Sequence, residues 1–209
     1  GGEAPRRESV LAVPLGAAVV AAEGGLDHAH ALGLEVTVAV GDFDSASPEA
    51  VREAEADGVL VDRHPADKDA TDLELALETA LTFAPRRILV LAGAGDRLDH
   101  LLGALLLLGS ARWSAVEIDA EIGPARVHVI RGQREIAGRA GELVSLLALH
   151  GPAEAVWTEG LVYELRGETL EPGSSRGVSN LFATDTARVS VERGVVLAVR
   201  PAPNGGGES

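Results

Sequence analysis

The hydrophobic pattern of this 209-residue chain changes period near Gly109, and that change limits the folds open to it. Upstream, strand-length apolar runs alternate with helical stretches. Ala17–Ala22, Val36–Val40, Val59–Val61 and Ile88–Ala92 read as strands; Leu26–Leu34, Ser47 to about Asp57, Thr71–Phe83 and Leu98–Leu108 read as helices. Ser47-Pro48-Glu49 is a helix start, because Ser caps free N–H groups and Pro suits the first turn, and Gly58 is a stop. Strands alternating with helices imply a parallel sheet covered on both faces. Downstream only short runs remain: Val116 onward, Val127–Ile130, Leu143–Leu149, Ala155–Trp157, Val162–Leu165, Ala187–Val191 and Val195–Val199, separated by Gly, Pro or charged pairs. Such runs read as an antiparallel sandwich or barrel.

The expected fold class is therefore α/β: an N-terminal parallel α/β sheet domain over 9–112 followed by a C-terminal antiparallel β-sandwich domain over 113–200. The Gly-rich stretch 201–209 reads as a disordered tail. Val10–Val13 looks like a first strand, yet only Pro14–Gly16 separate it from the next run, and a parallel crossover needs about a dozen residues or more.

Lys plus Arg number 18 against 32 Asp plus Glu, a net charge of −14. So acidic a surface repels phosphate backbones, which argues against nucleic acid as a partner. An anionic small molecule needs local help from metal ions, backbone N–H groups or a few placed cations. No Cys is present, so disulfides and thiolate metal sites are excluded. The longest apolar runs, such as Leu101–Leu108, are too short to span a bilayer and no signal-peptide pattern opens the chain, so the expectation is a cytoplasmic protein without membrane contact.

Three segments carry chemistry, each after a strand. In Gly41-Asp42-Phe43-Asp44-Ser45 two carboxylates at i and i+2 can reach one hard cation; alone, the pair reads better as a turn whose Asp residues bond their own backbone. In Asp67-Lys68-Asp69-Ala70-Thr71-Asp72, Thr71 or Asp69 caps a helix, while Lys68 between acids is placed to meet a phosphate and Asp72 to add a third metal-directed carboxylate. In Gly93-Ala94-Gly95-Asp96-Arg97-Leu98-Asp99-His100, glycines allow an anion close to the backbone and Arg97 can hold phosphate oxygens; the structural alternative is Asp96 or Asp99 as a cap and a solvated Arg97. Converging at one sheet edge, the three would suit phosphoryl or pyrophosphoryl transfer. His28, His30, His64, His100, His128 and His150 form no HExxH pattern and are expected in structural or surface roles.

GDFDS at 41–45, DKDATD at 67–72, GDRLDH at 95–100 and SSRGVSN at 174–180 resemble, in order, the four signature segments of thiamine pyrophosphokinases, and Glu23-Gly24-Gly25 falls where that family has Asp-Gly-Gly. The resemblance covers about residues 17–200. It implies an α/β catalytic domain that binds ATP and Mg²⁺, a β-sandwich that binds thiamine, and a homodimer with active sites between subunits. By the same resemblance Asp42, Asp44 and Asp72 would hold or orient Mg²⁺–ATP. Lys68, Thr71, Arg97, Asp69 and Gly95 would serve the phosphates, with Asp72, Asp99 and Arg97 as the catalytic set. Asp99 would lie near the thiamine hydroxyl, orienting it or accepting its proton. Tyr163 stands where the family has an aromatic that stacks on thiamine; the plain alternative is a strand residue packed in the sandwich. Ser179 and Asn180 would bond the pyrimidine or shape the loop, and Arg176 would face phosphate across the dimer. Trp157 and Trp113 are expected in the core or on a dimer surface. The competing readings are a pyrophosphokinase for another small alcohol such as a hydroxymethylpterin, a metal-dependent phosphohydrolase, and a non-catalytic nucleotide or thiamine sensor.

Overall fold

A computed structural model of the chain describes residues 3–95 and 97–202; the expected tail beyond Ala202 lies outside the described residues. The order of layers matches the change of period. Strands β1 (Val20–Ala22), β2 (Val38–Gly41) and β3 (Leu60–Arg63) form a three-stranded parallel sheet in the order β1-β2-β3, with Val20 opposite Val38 and Val38 opposite Leu60. Helices α1 (Gly25–Ala31) and α2 (Pro48–Ala56) bury Leu26, Ala29, Val51 and Ala54 against it. Ser47 Oγ accepts the Ala50 N–H at 3.0 Å, which caps α2 as its sequence predicts.

Helix α3 (Asp72–Leu81) is capped by Thr71, whose Oγ1 accepts the Glu74 N–H at 3.3 Å. Strand β4 (Arg87–Ala92) follows, and helix α4 spans Leu98–Leu108 as predicted. Here the structure departs from the single α/β sheet expected upstream. β4 pairs in parallel with β5 (Glu117–Ile122), Arg87 opposite Glu117, and through β5 joins the second sheet. The apolar run fixed β4 as a strand but not its neighbour. The facing edges of β1 and β4 bound an open cleft instead of a ladder.

The second sheet has nine strands and is otherwise antiparallel. Its main path is β4-β5-β6-β12-β8-β11-β7, where β6 is Ala125–Ile130, β7 Gln133–Ala137, β8 Leu143–Glu159, β11 Thr186–Ser190 and β12 Arg193–Arg200; β9 (Arg166–Leu170) and β10 (Asn180–Leu181) also pair with β8. Two runs read as separate strands, Leu143–Leu149 and Ala155–Trp157, are one strand that bends. Its first half pairs with β12 and β10, its second half with β9 and β11. The bend uses left-handed backbone at His150 (φ 60°) and Ala155 (φ 51°), which folds one ladder into two layers.

Residues of β12 alternate between two cores. Leu197 lies with Val127, Val129, Ile118 and the inner side of α4, while Val196 and Ala198 lie with Ile130, Val144, Leu146, Leu161 and Phe182 inside the sandwich. The sheet thus carries helices on one face and the remaining strands on the other. Trp113 is a core residue, 1 % exposed, with its Nε1–H donated to the Leu107 carbonyl at 2.8 Å.

Val10–Val13 is not a strand. Arg7–Ala12 is a 3-10 helix, and Leu11 and Leu15 are exposed. The three-residue link to the next run cannot carry a parallel crossover, so the segment turns aside. Among the described residues no helix is long and apolar enough to cross a membrane.

Candidate active site at the strand ends

The loop after β2 throws two acids to one side by burying the residue between them. Phe43 takes a left-handed backbone (φ 61°) and packs with Ala21, Leu26 and Val51, its ring covered by the Arg63 guanidinium at 5.3 Å. A bulky residue at such a φ is strained, and strain of this kind collects at functional sites. Asp42 Oδ1 accepts the Asp44 N–H at 3.1 Å, closing the turn. Asn- or Asp-turn geometry was the plain reading of this motif, and it is present; the question is what else the carboxylates meet.

They meet residues from two other strand ends. Carboxylate oxygens of Glu23, Asp42 and Asp44 lie within 4.8 Å of one another. Lys68 Nζ donates to Asp42 Oδ2 at 3.1 Å and stands 3.1 Å from Asp72 Oδ1. Asp42 and Asp72 are therefore within two hydrogen-bond lengths through a single ammonium group. Gly41 permits the convergence. Its φ of 147° favours glycine, and a Cβ there would stand 3.2 Å from Glu23 Cβ and 3.3 Å from Asp72 Oδ1. Glu23 is itself buried at 8 % exposure and left-handed (φ 47°). The Asp-Gly-Gly likeness drew attention to Glu23, but no spacing in the chain revealed that its carboxylate joins the GDFDS pair.

The electrostatics follow from crowding. The Asp44 N–H holds Asp42 below the ordinary carboxylate range, with Lys68 adding to the effect. A hydrogen bond that the Asp44 carboxyl donates to Glu23 pushes Asp44 up, aided by the charge of Asp42. For Lys68, burial opposes the charge, but its pairing with the Asp72 and Asp42 carboxylates outweighs that and raises its pKa. Asp72 Oδ1 is buried without a well-aligned hydrogen bond, since Lys68 reaches it only as an ion-pair partner. Four oxygen-donor side chains, one with a buried oxygen that Lys68 meets only as an ion pair, fit a hard divalent cation.

Of the other expected residues, Asp69 is exposed in the turn before α3, and Thr71 spends its hydroxyl oxygen on the helix cap. Gly95 is left-handed (φ 61°) ahead of α4. At Gly93 the backbone of Glu3 lies against the face a Cβ would occupy, so part of the Gly-rich loop is covered by the chain's own N-terminal segment. Arg97 precedes α4 and grips Asp99 with two hydrogen bonds, 2.9 Å from Nε and 2.6 Å from Nη2. That grip holds the Asp99 carboxyl well below its usual value. A cleft of about 1160 Å³ between β1, β4, α3 and α4 connects these residues with Glu23, Thr71 and Asp72. It opens at the ends of the strands where two sheets part, as ligand crevices in α/β folds do.

The residues expected at the acceptor pocket stand elsewhere. Val162–Leu165 is not a strand: Leu161 and Leu165 are buried in the sandwich core, while Val162 and Tyr163 turn outward, Tyr163 at 57 % exposure. Tyr163 is thus free of the packing role that was its plain alternative. Asn180, 2 % exposed, donates Nδ2–H to the Tyr163 carbonyl at 2.7 Å and accepts the Tyr163 N–H at 3.0 Å, so its amide shapes the loop. Ser179 is left-handed (φ 58°) and exposed, and its N–H is donated to Ser145 Oγ at 3.1 Å. Arg176 is held by both oxygens of Glu168, at 2.8 and 2.9 Å. Tyr163 and Asn180 belong to the sandwich side of the long sheet, Arg97 and Asp99 to the helical side.

An α/β layer whose strand ends pool carboxylates beside a lysine, joined to a β-sandwich, is the frame of a group-transfer enzyme of the kinase type. Comparison with known proteins narrows the class. The catalytic domain of thiamin pyrophosphokinase matches residues 16–119, and the vitamin B1 binding domain of thiamin pyrophosphokinase matches residues 127–196. A thiamine pyrophosphokinase of Bacillus subtilis (strain 168) is 26% identical over 164 residues, 78% of this chain and 77% of that protein. The crystal structure of thiamine pyrophosphokinase from Bacillus subtilis superposes with a TM-score of 0.83 at 22% identity, covering 97% of this chain and 96% of that one. That of Geobacillus thermodenitrificans thiamin pyrophosphokinase gives 0.80 at 26% identity over 98% and 96%. The chain belongs to the thiamine pyrophosphokinase family.

Proposed function

We propose that the chain transfers a pyrophosphoryl group from ATP to the hydroxyl of thiamine, giving thiamine diphosphate and AMP, with Mg²⁺ as the metal. The observation that carries this reading is the meeting of Asp42 and Asp72 on Lys68, with Asp44 and Glu23 beside Asp42, next to a cleft of about 1160 Å³ that Glu23 and Asp72 help to line, in a chain whose two halves match both domains of the family. We take 9–112 as the ATP- and Mg²⁺-binding part and 113–200 as the thiamine-binding part, working in the cytoplasm without nucleic-acid or membrane partners.

The thiamine hydroxyl oxygen attacks the β-phosphorus, the bond from that phosphorus to the bridging oxygen of the α-phosphate breaks, and AMP leaves while the hydroxyl proton passes to solvent. Asp42, Asp44 and Asp72 would hold the metal, which would supply charge neutralisation at the phosphates when bound. Lys68 and Arg97 contact phosphate oxygens, with the Gly95 backbone, Thr71 and Asp69 beside them. Asp99 orients the hydroxyl. A carboxylate that Arg97 holds so acidic is a poor proton acceptor at neutral pH, which favours orientation over base catalysis. Tyr163 offers its ring face to the cationic thiazolium, and Ser179 lines the same pocket.

Because Arg97–Asp99 and Tyr163–Asn180 occupy opposite sides of one sheet, a site using both sets draws them from two copies, so we assign a homodimer with active sites at the subunit interface. The outer side of α4 supports this: Leu98, Leu102 and Leu106, spaced by four, are about half to two-thirds exposed.

Incubation with ATP, Mg²⁺ and thiamine, followed by mass detection, should give thiamine diphosphate and AMP, with AMP formed only when thiamine is present. Orthophosphate release without acceptor would instead indicate a phosphohydrolase, and tight ligand binding without turnover a sensor. Asn180→Ala tests the bracing of the acceptor loop. It leaves two backbone groups of Tyr163 unpaired, so stability should fall by about 1–3 kcal/mol, and KM for thiamine should rise more than kcat falls in steady-state assays.

A further inference from the structure

Lys68 does more than the phosphate contact assigned to it above. Its side chain is 14 % exposed and its ammonium group rests on Asp42 and Asp72 at 3.1 Å each, the same carboxylates that the proposed function gives to the metal. A lysine ammonium is a compact point charge on a flexible four-carbon stem, so it can satisfy an acid cluster and also leave it. A divalent ion bound to these oxygens would face that charge across a few ångströms, a strongly repulsive arrangement in a part-buried site. Ammonium and metal therefore compete for the same oxygens.

We propose that Lys68 is a built-in competitor for the metal site, a counter-ion that keeps the acids paired in the ligand-free protein and releases them when a phosphate group offers it a replacement partner. The inference rests on the metal reading of Asp42, Asp44 and Asp72. Its consequence is an order of loading: the cation enters together with a phosphate-bearing ligand and binds weakly by itself. The pairing also explains how carboxylates from three strand ends stay together without a cation. Asp42 and Asp72 relieve their crowding through Lys68, and Glu23 and Asp44 lie beside Asp42.

The test is a titration of Mn²⁺ alone, without nucleotide or thiamine, into the full chain and into Lys68→Met, followed by the loss of the free-ion electron paramagnetic resonance signal. Lys68→Met should bind Mn²⁺ at least about tenfold tighter than the unmodified chain, because the ion no longer displaces a resident cation. Lys68→Arg, which keeps the charge, should bind as weakly as the unmodified chain. Mn²⁺ should also raise the melting temperature of Lys68→Met more than that of the unmodified chain, which reads the same competition if the variant is loosened by its unpaired acids. Equal or weaker Mn²⁺ binding by Lys68→Met would overturn the proposal. The titration contains neither substrate, so a chain that fails to make thiamine diphosphate and still shows the tighter binding separates this inference from the proposed reaction.

Discussion

Asp72→Asn is expected to lower the rate of thiamine-dependent AMP formation by about a hundredfold to a thousandfold, the cost of removing one preorganised charge from a transition state, while the protein stays folded. The two expectations come from different features of one residue. As a ligand, Asp72 contributes a buried oxygen that no well-aligned donor satisfies and that Lys68 approaches at 3.1 Å. The amide of Asn keeps the shape but loses the charge, so metal and phosphate lose a shared anchor. As a structural residue, Asp72 is replaceable. It opens α3, but Thr71 does the capping through the Glu74 N–H, and Glu74 remains as an acid in the first turn. Losing one favourable charge at a helix N-terminus costs about 0.3–1 kcal/mol, and weaker crowding among the acids offsets part of that. Circular dichroism and a melting curve check the fold, and product analysis with saturating ATP and thiamine checks the rate. Raising Mg²⁺ should recover part of the loss if the defect is in metal affinity. An unchanged rate would remove Asp72 from the mechanism.

The acid-bearing strand ends were legible because each element leading to them is written locally. Apolar runs set β2 and β4, Ser47 and Thr71 cap helices where their positions demand, and α4 fills Leu98–Leu108 because its leucines repeat at helical spacing. Partner choice was not legible. Nothing in Ile88–Ala92 distinguishes β1 from β5 as a neighbour, since either would bury the same side chains, so the cleft between β1 and β4 became visible only in three dimensions. Tyr163 was singled out, but its exposure was not legible for a related reason: Val162–Leu165 reads as a strand, yet of these four only Leu165 is buried in the core, and the turn that exposes Tyr163 is tied by a side chain seventeen positions away, Asn180. The bend in β8 was misread as a break because Gly151 and Pro152 interrupt the apolar pattern without ending the strand. Glu23 was noticed as a longer substitute for an aspartate, and its place in the cluster depends on φ values at Glu23 and Gly41 that composition does not encode.

The largest effect on stability is expected at a site the sequence did not announce. Asp119, on β5, is buried, with its side chain 4 % exposed, and it gathers two arginines and a histidine from three other strands: Arg87 of β4 at 2.7 Å, His128 of β6 at 2.8 Å and Arg134 of β7 at 2.8 and 3.1 Å. It thus ties β4, which leads to the Gly-rich loop before α4, to the sandwich. Burial pushes its carboxyl up, but hydrogen bonds from His128 and Arg134 outweigh that and hold it far below the ordinary range. Removing the charge leaves Arg134, 14 % exposed, with only Glu117 at 3.5 Å and two distant carbonyls, while Arg87 turns to solvent. Breaking a buried pair costs about 3–5 kcal/mol; because Arg134 keeps weak partners, the lower end is expected for Asp119→Asn in urea unfolding at pH 7. The dependence on pH has a fixed sign. A carboxyl whose pKa is depressed on folding adds stability that is fully present above the unfolded value of about 3.9 and lost as pH falls below it. The unmodified chain should therefore lose stability between about pH 4 and pH 2, and Asp119→Asn should show a flatter curve over that range. If the two curves run parallel through that window, the charge of Asp119 is not what joins the two halves.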